Sequence, residues 1–184
     1  LKNLKDTNKY LLGQVSELEE TGHEELFGLV VDLINGGGKM LRPALVFLFN
    51  DLGDNPAATK DVEPVAGAME ILHLATLIHD DVLDNSPLRR HQTTVHAKLG
   101  NKEAIYAGDY LFSKFFEIIV TSLDNRVVLT ENARHLKLIL MGELNQLKHT
   151  WHINQTVANY LETVTGKTAV LFGLSSLNGM ALAG

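Results

Sequence analysis

The run from His73 to Arg90, HLATLIHDDVLDNSPLRR, constrains this chain more than any other stretch. Leu74, Ala75, Leu77 and Ile78 follow Ile71 and Leu72 with no glycine or proline among them, which predicts a buried helix. That helix runs into three carboxylates, Asp80, Asp81 and Asp84. Asp80 and Asp84 share one face, because residues four apart are helical neighbours, and Asp81 lies about 100° round. Two like charges about 4 Å apart repel by about 4 kcal/mol at a near-surface dielectric. The negative end of the helix macrodipole adds to that cost. A cation must compensate. Either the chain's own Arg89 and Arg90 do so, or a hard divalent ion such as Mg²⁺ is shared between carboxylates and a substrate phosphate. In the second case the guanidinium forks are left to bind phosphate oxygens.

With 184 residues, 45% hydrophobic and 21% charged, the chain is expected to form one globular domain, residues 1–184, with a sizeable core. A net charge of -6 argues against nucleic acid as a partner. There is no cysteine, hence no disulfide framework and no thiolate chemistry. The first residues, LKNLKDTNKYLL, lack the apolar core of a signal peptide. The most apolar tail, Ala169 to Gly184, is 16 residues long and contains Ser175, Ser176 and Asn178, so no transmembrane segment is expected. The expected setting is the cytoplasm.

Helical periodicity dominates and strand alternation is nearly absent. Helices are expected over Leu4 to Glu20, Glu24 to Ile34, Leu41 to Leu52, Val62 to Leu83, Lys102 to Ser122, Arg126 to His152 and Thr156 to Val164, with a last one from near Thr168. The breaks fall at Gly36-Gly37-Gly38, Gly53 to Pro56, Ser86-Pro87 and Gly100-Asn101. Pro64 suits the first turn of its helix. Long apolar helices of this kind predict an all-α bundle with ligand sites between facing helices.

A second constellation is Gly36-Gly37-Gly38-Lys39-Met40-Leu41-Arg42-Pro43. Glycines admit a close ligand, and the following helix N-terminus favours anions. Lys39 and Arg42 add two charges there. A P-loop is excluded, since Met40 follows the lysine and no strand leads in. His73 lies seven residues before Asp80, two turns along the same face, where either a core histidine or a ligand-facing one fits.

DDVLD followed by PLRR resembles the first aspartate-rich motif, DDxxD, of the trans-type polyprenyl (isoprenyl) diphosphate synthases. GGKMLRP resembles their GGK-x-x-RP motif, and Gly166-Lys167-Thr168-Ala169 resembles a third element. Gly108 to Phe112 and Gly142 to Gln146 are weaker matches, read as mostly structural. The family has glycine where this chain has His91. It also carries a second aspartate-rich motif, and no other DDxxD occurs in these residues.

The resemblance implies an isoprenoid-synthase bundle of long antiparallel helices around a central cavity, incomplete at the C-terminus, where the second motif would lie. It implies a prenyltransferase that condenses isopentenyl diphosphate with an allylic prenyl diphosphate. The product would be a medium- or long-chain all-trans polyprenyl diphosphate. Asp80, Asp81 and Asp84 would hold Mg²⁺. Lys39, Arg42, His73 and Arg90 would bind isopentenyl diphosphate, and Arg89, Lys167 and Thr168 the allylic diphosphate. Asp80, Asp84, Lys167 and Thr168 would be the catalytic group. In the family, bulky residues just before the aspartates stop elongation. The small Ala75 and Thr76, with Leu72 and Met69 below, therefore imply an open product tunnel. A homodimer, or a heteromer with a small subunit, is expected, and residues 1–184 alone are expected to be inactive. Two other readings remain: a non-catalytic subunit of such an enzyme, and a terpene cyclase, which has no second diphosphate to bind.

Overall fold

A computed structural model describes residues 2–36, 38–149 and 156–184, the side chains of residues 2, 3, 148, 149 and 167 excepted. The molecule is a helical bundle built on one axis, helix α5, Thr59–Leu83. Along it Val65, Ala66, Ala68, Met69, Ile71, Leu72 and Ala75 are wholly removed from solvent. An apolar helix with no polar stripe has to be covered on most sides. The covering elements are α1 (Lys2–Val15), α4 (Leu41–Asp51), α7 (Asn101–Ser122) and α10 (Val170–Leu182), with α7 making the most extensive contact. Helices α2 (Glu17–Glu20), α3 (Glu24–Asn35), α6 (Val95–Leu99), α8 (Arg126–His149) and α9 (Val157–Val164) complete the shell.

The expected helices form, with three corrections. The first one divides at Ser16, whose hydroxyl donates to the Gly13 carbonyl at 2.9 Å. Serine offers the backbone such an alternative to the helical ladder. The central helix starts at Thr59 rather than Val62, so Pro64 stands beyond the first turn. The last residues expected in α8, 150–152, lie outside the described residues. Finally, α9 runs unbroken through a π-helical turn, Thr165–Ala169, into α10. Helix α6 and a short hairpin, β1 (Leu88–Arg89) with β2 (Gln92–Thr93), were not expected.

A polar link crosses the core. The amides of Asn132 (α8) and Asn178 (α10), both buried, donate to each other's oxygens at 2.7 and 2.9 Å. Asn132 also donates to the Val128 carbonyl at 3.0 Å. Buried amides are costly unless satisfied, so this reciprocal pair fixes the register of α8 against α10.

Candidate active site

The three aspartates at the end of α5 have separate surroundings. Asp84 is exposed, Asp80 is half-buried, and Asp81 is 5% exposed. Turned about 100° from Asp80, Asp81 faces the hairpin. There the Arg89 Nε lies 2.9 and 3.0 Å from its two carboxylate oxygens, and an Nη lies 2.8 Å from one of them. The chain's own arginine therefore neutralises one of the three carboxylates. Asp80 and Asp84 remain one turn apart at the helix end.

The hairpin that delivers Arg89 is lashed to the helix end. The Ser86 N–H donates to the Asp81 carbonyl at 2.9 Å, and the Thr94 hydroxyl donates to the Ser86 carbonyl at 2.8 Å. His96 Nε2 is 2.8 Å from that same carbonyl. Leu88 pairs with Thr93 and Arg89 with Gln92, leaving Arg90 and His91 as the two-residue turn. Both have left-handed φ, 50° and 69°. A two-residue hairpin of this I′ type needs positive φ at both positions, which costs a non-glycine residue about 1–2 kcal/mol. That gives the departure at position 91 a physical meaning: histidine takes a conformation that glycine would take freely.

The turn carries Arg90 to the glycine loop. A Cβ placed on Gly38 would sit 3.7 Å from an Arg90 Nη and 3.6 Å from the Glu70 Oε1. Arg42 is the second residue of α4, which follows Met40, whose φ of 48° is also left-handed. The Arg42 guanidinium lies 4.9 Å from the centre of the Phe172 ring of α10. Burial lowers the Arg42 pKa while Glu70 opposes that shift. His73 is held neutral, its pKa pushed down to about 3 by burial and then by Arg42, Arg90 and Arg89. Arg42, His73 and Arg90 therefore converge. Lys39 is exposed and lines an adjoining groove of about 420 Å³ with Lys5, Asn8 and Asn35. Glu70, 7% exposed, is the group that sequence reasoning missed. Its signal was a lone carboxylate in the apolar run between Glu63 and Asp80.

Beside Asp80 opens a cavity of about 430 Å³ between α5, α7 and α8. Its wall is overwhelmingly apolar and includes Thr76, Ile105, Phe112, Ile139 and Leu140. His79 closes one side, its Nε2 3.2 Å from the Ile105 carbonyl and 3.4 Å from Asp109, its ring 5.5 Å from that of Phe112. This fit needs Gly108, because a Cβ there would collide with the His79 ring. Of the expected tunnel residues, only Thr76 lines the cavity. Ala75, Leu72 and Met69 are wholly buried in the core of α5.

Thr168 is exposed on the π-helical turn, and the Lys167 side chain lies outside the described residues. The turn rests on α8 through two glycines: a Cβ on Gly166 would lie 2.7 Å from Gly142 Cα.

Among the described residues no group of three or more His, Cys, Asp or Glu side chains is arranged to hold a metal. The donor set still fits Mg²⁺, which takes one or two carboxylates and leaves the remaining positions to phosphate oxygens and water. Asp80 and Asp84 supply such a pair. No helix among the described residues is long and apolar enough to cross a membrane.

A polyprenyl synthetase profile matches residues 23–184. Heptaprenyl diphosphate synthase component 2 of Geobacillus stearothermophilus is 36% identical over 152 residues, covering 83% of this chain and 47% of that protein. Geranylgeranyl diphosphate synthase of Saccharolobus solfataricus is 37% identical over 155 residues, covering 80% of this chain and 46% of that protein. The crystal structure of geranylgeranyl pyrophosphate synthase from Lactobacillus brevis superposes with a TM-score of 0.93 at 37% identity, over 99% of this chain and 55% of that one. That of heptaprenyl diphosphate synthase from Staphylococcus aureus gives 0.91 at 28% identity, over 99% and 56%. The chain spans about half the length of the curated relatives it matches. With the profile running from residue 23 to residue 184 through glycine loop, aspartates and hairpin alike, the chain belongs to the polyprenyl synthetase family.

Proposed function

We propose that this chain forms the substrate-binding half of a prenyltransferase that joins isopentenyl diphosphate to an allylic prenyl diphosphate, giving a medium- or long-chain all-trans polyprenyl diphosphate. The observation that carries the reading is the juxtaposition of a cationic cluster, Arg42 and Arg90 around neutral His73, with an apolar cavity that has Asp80 at its edge. A cluster of guanidiniums suits a diphosphate. An apolar cavity suits a growing hydrocarbon and keeps water from an allylic cation. We assign the matching second aspartate-rich wall, and the completion of the domain, to the other half of the protein.

Arg42, His73 and Arg90, with Lys39 at the rim, would hold the isopentenyl diphosphate. Asp80 and Asp84 would hold Mg²⁺ against the allylic diphosphate, with Lys167 and Thr168 near that group. Bound there, the ion would supply neutralising charge for a departing diphosphate. Asp81 and Arg89 would shape the site through their mutual salt bridge. The chain's own contribution is orientation and exclusion of water, a form of catalysis by positioning and electrostatic preorganisation. The protein would work in the cytoplasm as a homodimer, or with a second subunit, as the name "component 2" of two relatives suggests.

The test is turnover by the full-length enzyme with both diphosphates and Mg²⁺, followed by chromatography of the products. Asp80→Ala and Asp84→Ala should each abolish chain elongation. Near-normal elongation in both variants would overturn the assignment.

A further inference from the structure

We propose that Glu70 is a positioning residue for the diphosphate receptor, holding Arg42 and Arg90 together from beneath. The inference rests on the function proposed above and adds a group to that site. Glu70 stands three residues before His73, on the same face of α5. It is 7% exposed, and its Oε2 is buried without a hydrogen bond. So is the Nε of Arg42. The point 3.6 Å from the other Glu70 oxygen lies 3.7 Å from an Arg90 Nη, and it is where a side chain on Gly38 would begin. Burial raises the Glu70 pKa, and both arginines act on this carboxylate to oppose that rise.

A buried carboxylate is costly, and without a cationic partner it would not be kept charged. Here it stands among charges that arrive from two other elements: the start of α4 and the hairpin turn. Two guanidiniums brought to one place repel, and each would otherwise turn to solvent. Glu70 offsets one positive charge, and Phe172 supports Arg42 from the far side. With His73 neutral, Glu70, Arg42 and Arg90 together keep a net charge of about +1, facing the loop where a diphosphate would lie.

The sign of one effect separates this role from its rival. If the arginines were held rigidly by other contacts, removing the negative charge of Glu70 would make the site more cationic and tighten anion binding. If Glu70 positions them, its removal loosens binding despite the extra charge.

The experiment is calorimetric titration of the full-length enzyme with inorganic diphosphate, without metal, for wild type, R42A, E70Q and E70Q/R42A. Wild type is expected to bind in an Arg42-dependent way, and E70Q to bind about tenfold more weakly, the scale of losing one buried charge partner. Because Glu70 acts through Arg42 and Arg90, the double variant should lose less than the sum of the two single losses, a non-additivity that general damage to the fold would not give. In turnover, KM for isopentenyl diphosphate should rise in E70Q while kcat and the allylic KM hold. Unchanged or tighter diphosphate binding by E70Q, additive losses in the double variant, or wild-type binding that ignores Arg42 would each overturn the inference. Should E70Q fail to fold, E70D, one methylene short, reads the same contact: about threefold weaker binding is expected, and unchanged or tighter binding overturns the role. An enzyme that binds diphosphate as described yet elongates no prenyl chain would overturn the proposed function and leave the role of Glu70 standing.

Discussion

Arg89 grips the buried carboxylate of Asp81 through two nitrogens, Nε at 2.9 and 3.0 Å and an Nη at 2.8 Å, while Asp80, one residue earlier, borders the apolar cavity. Adjacent aspartates therefore differ in kind. The Asp81 side chain is 7% exposed and that of Arg89 is 28% exposed. Removing one partner of such a pair strands the other.

Asp81→Ala should accordingly cost about 2–3 kcal/mol of folding stability, whereas Asp84→Ala, at an exposed helix end, should stay within about 0.5 kcal/mol. Urea denaturation of the two variants measures the difference. Equal losses would mean that the salt bridge contributes nothing beyond a surface pair.

His73 links pH to stability. Its folded pKa of about 3 lies below the ordinary histidine value of 6.5. Above that ordinary value both states are neutral and its contribution to stability is fully present. As pH falls from about 6.5 toward 3, only the unfolded chain takes up the proton, and stability is lost by up to about 1.4 kcal/mol per pH unit. Unfolding midpoints at pH 7 and pH 5 should therefore fall further apart in wild type than in His73→Gln. Identical pH dependence in both proteins would show that His73 is not the group concerned.

Product length should respond to Thr76. Thr76→Phe places a ring in the cavity wall beside Asp80, and the main product should shorten by several isoprene units with Mg²⁺ dependence retained. Ala75→Tyr enters the packed core instead and should cost about 1–3 kcal/mol. An unchanged product distribution in Thr76→Phe would mean that the hydrocarbon does not occupy this cavity.

Gly166→Ala meets backbone, not a side chain that can turn aside, since the new carbon would lie 2.7 Å from Gly142 Cα. The π-helical turn must then lift off α8, at about 1–3 kcal/mol, carrying Thr168 with it. A drop in melting temperature together with a lower kcat is expected. A variant as stable and as active as wild type would show that the two backbones part without consequence.

Much of this was legible in the sequence, and the reasons for the rest are specific. Long helices announce themselves through periodicity and breakers, so α5, α7 and α8 were placed to within a few residues. The hairpin escaped because each strand has only two residues, too few for alternation to register. Arg42, His73 and Arg90 were named together, but sequence order cannot tell which of two neighbouring aspartates faces inward, so the partnership of Asp81 with Arg89 needed coordinates. Glu70 left a faint signal as a charge within an apolar run. Asn132 and Asn178 left none, because their pairing joins residues far apart in the chain. A cavity between facing helices was expected, but the tunnel residues named all lie on α5, and much of the wall beside Asp80 comes from α7 and α8.

The turn at Thr165–Ala169 has a geometric consequence for everything after it. A π-helical turn holds one residue more than an α-helical one, so the rod of α9 and α10 changes phase by about 100° as it passes through. The half before the turn and the half after it are thereby aimed in different directions without a break in the chain. Deleting any one of those residues would let the segment relax to a regular helix and rotate Asn178 away from Asn132 by the same angle. The azimuth of α10, and with it the placement of Phe172 against Arg42, is set by a single surplus residue.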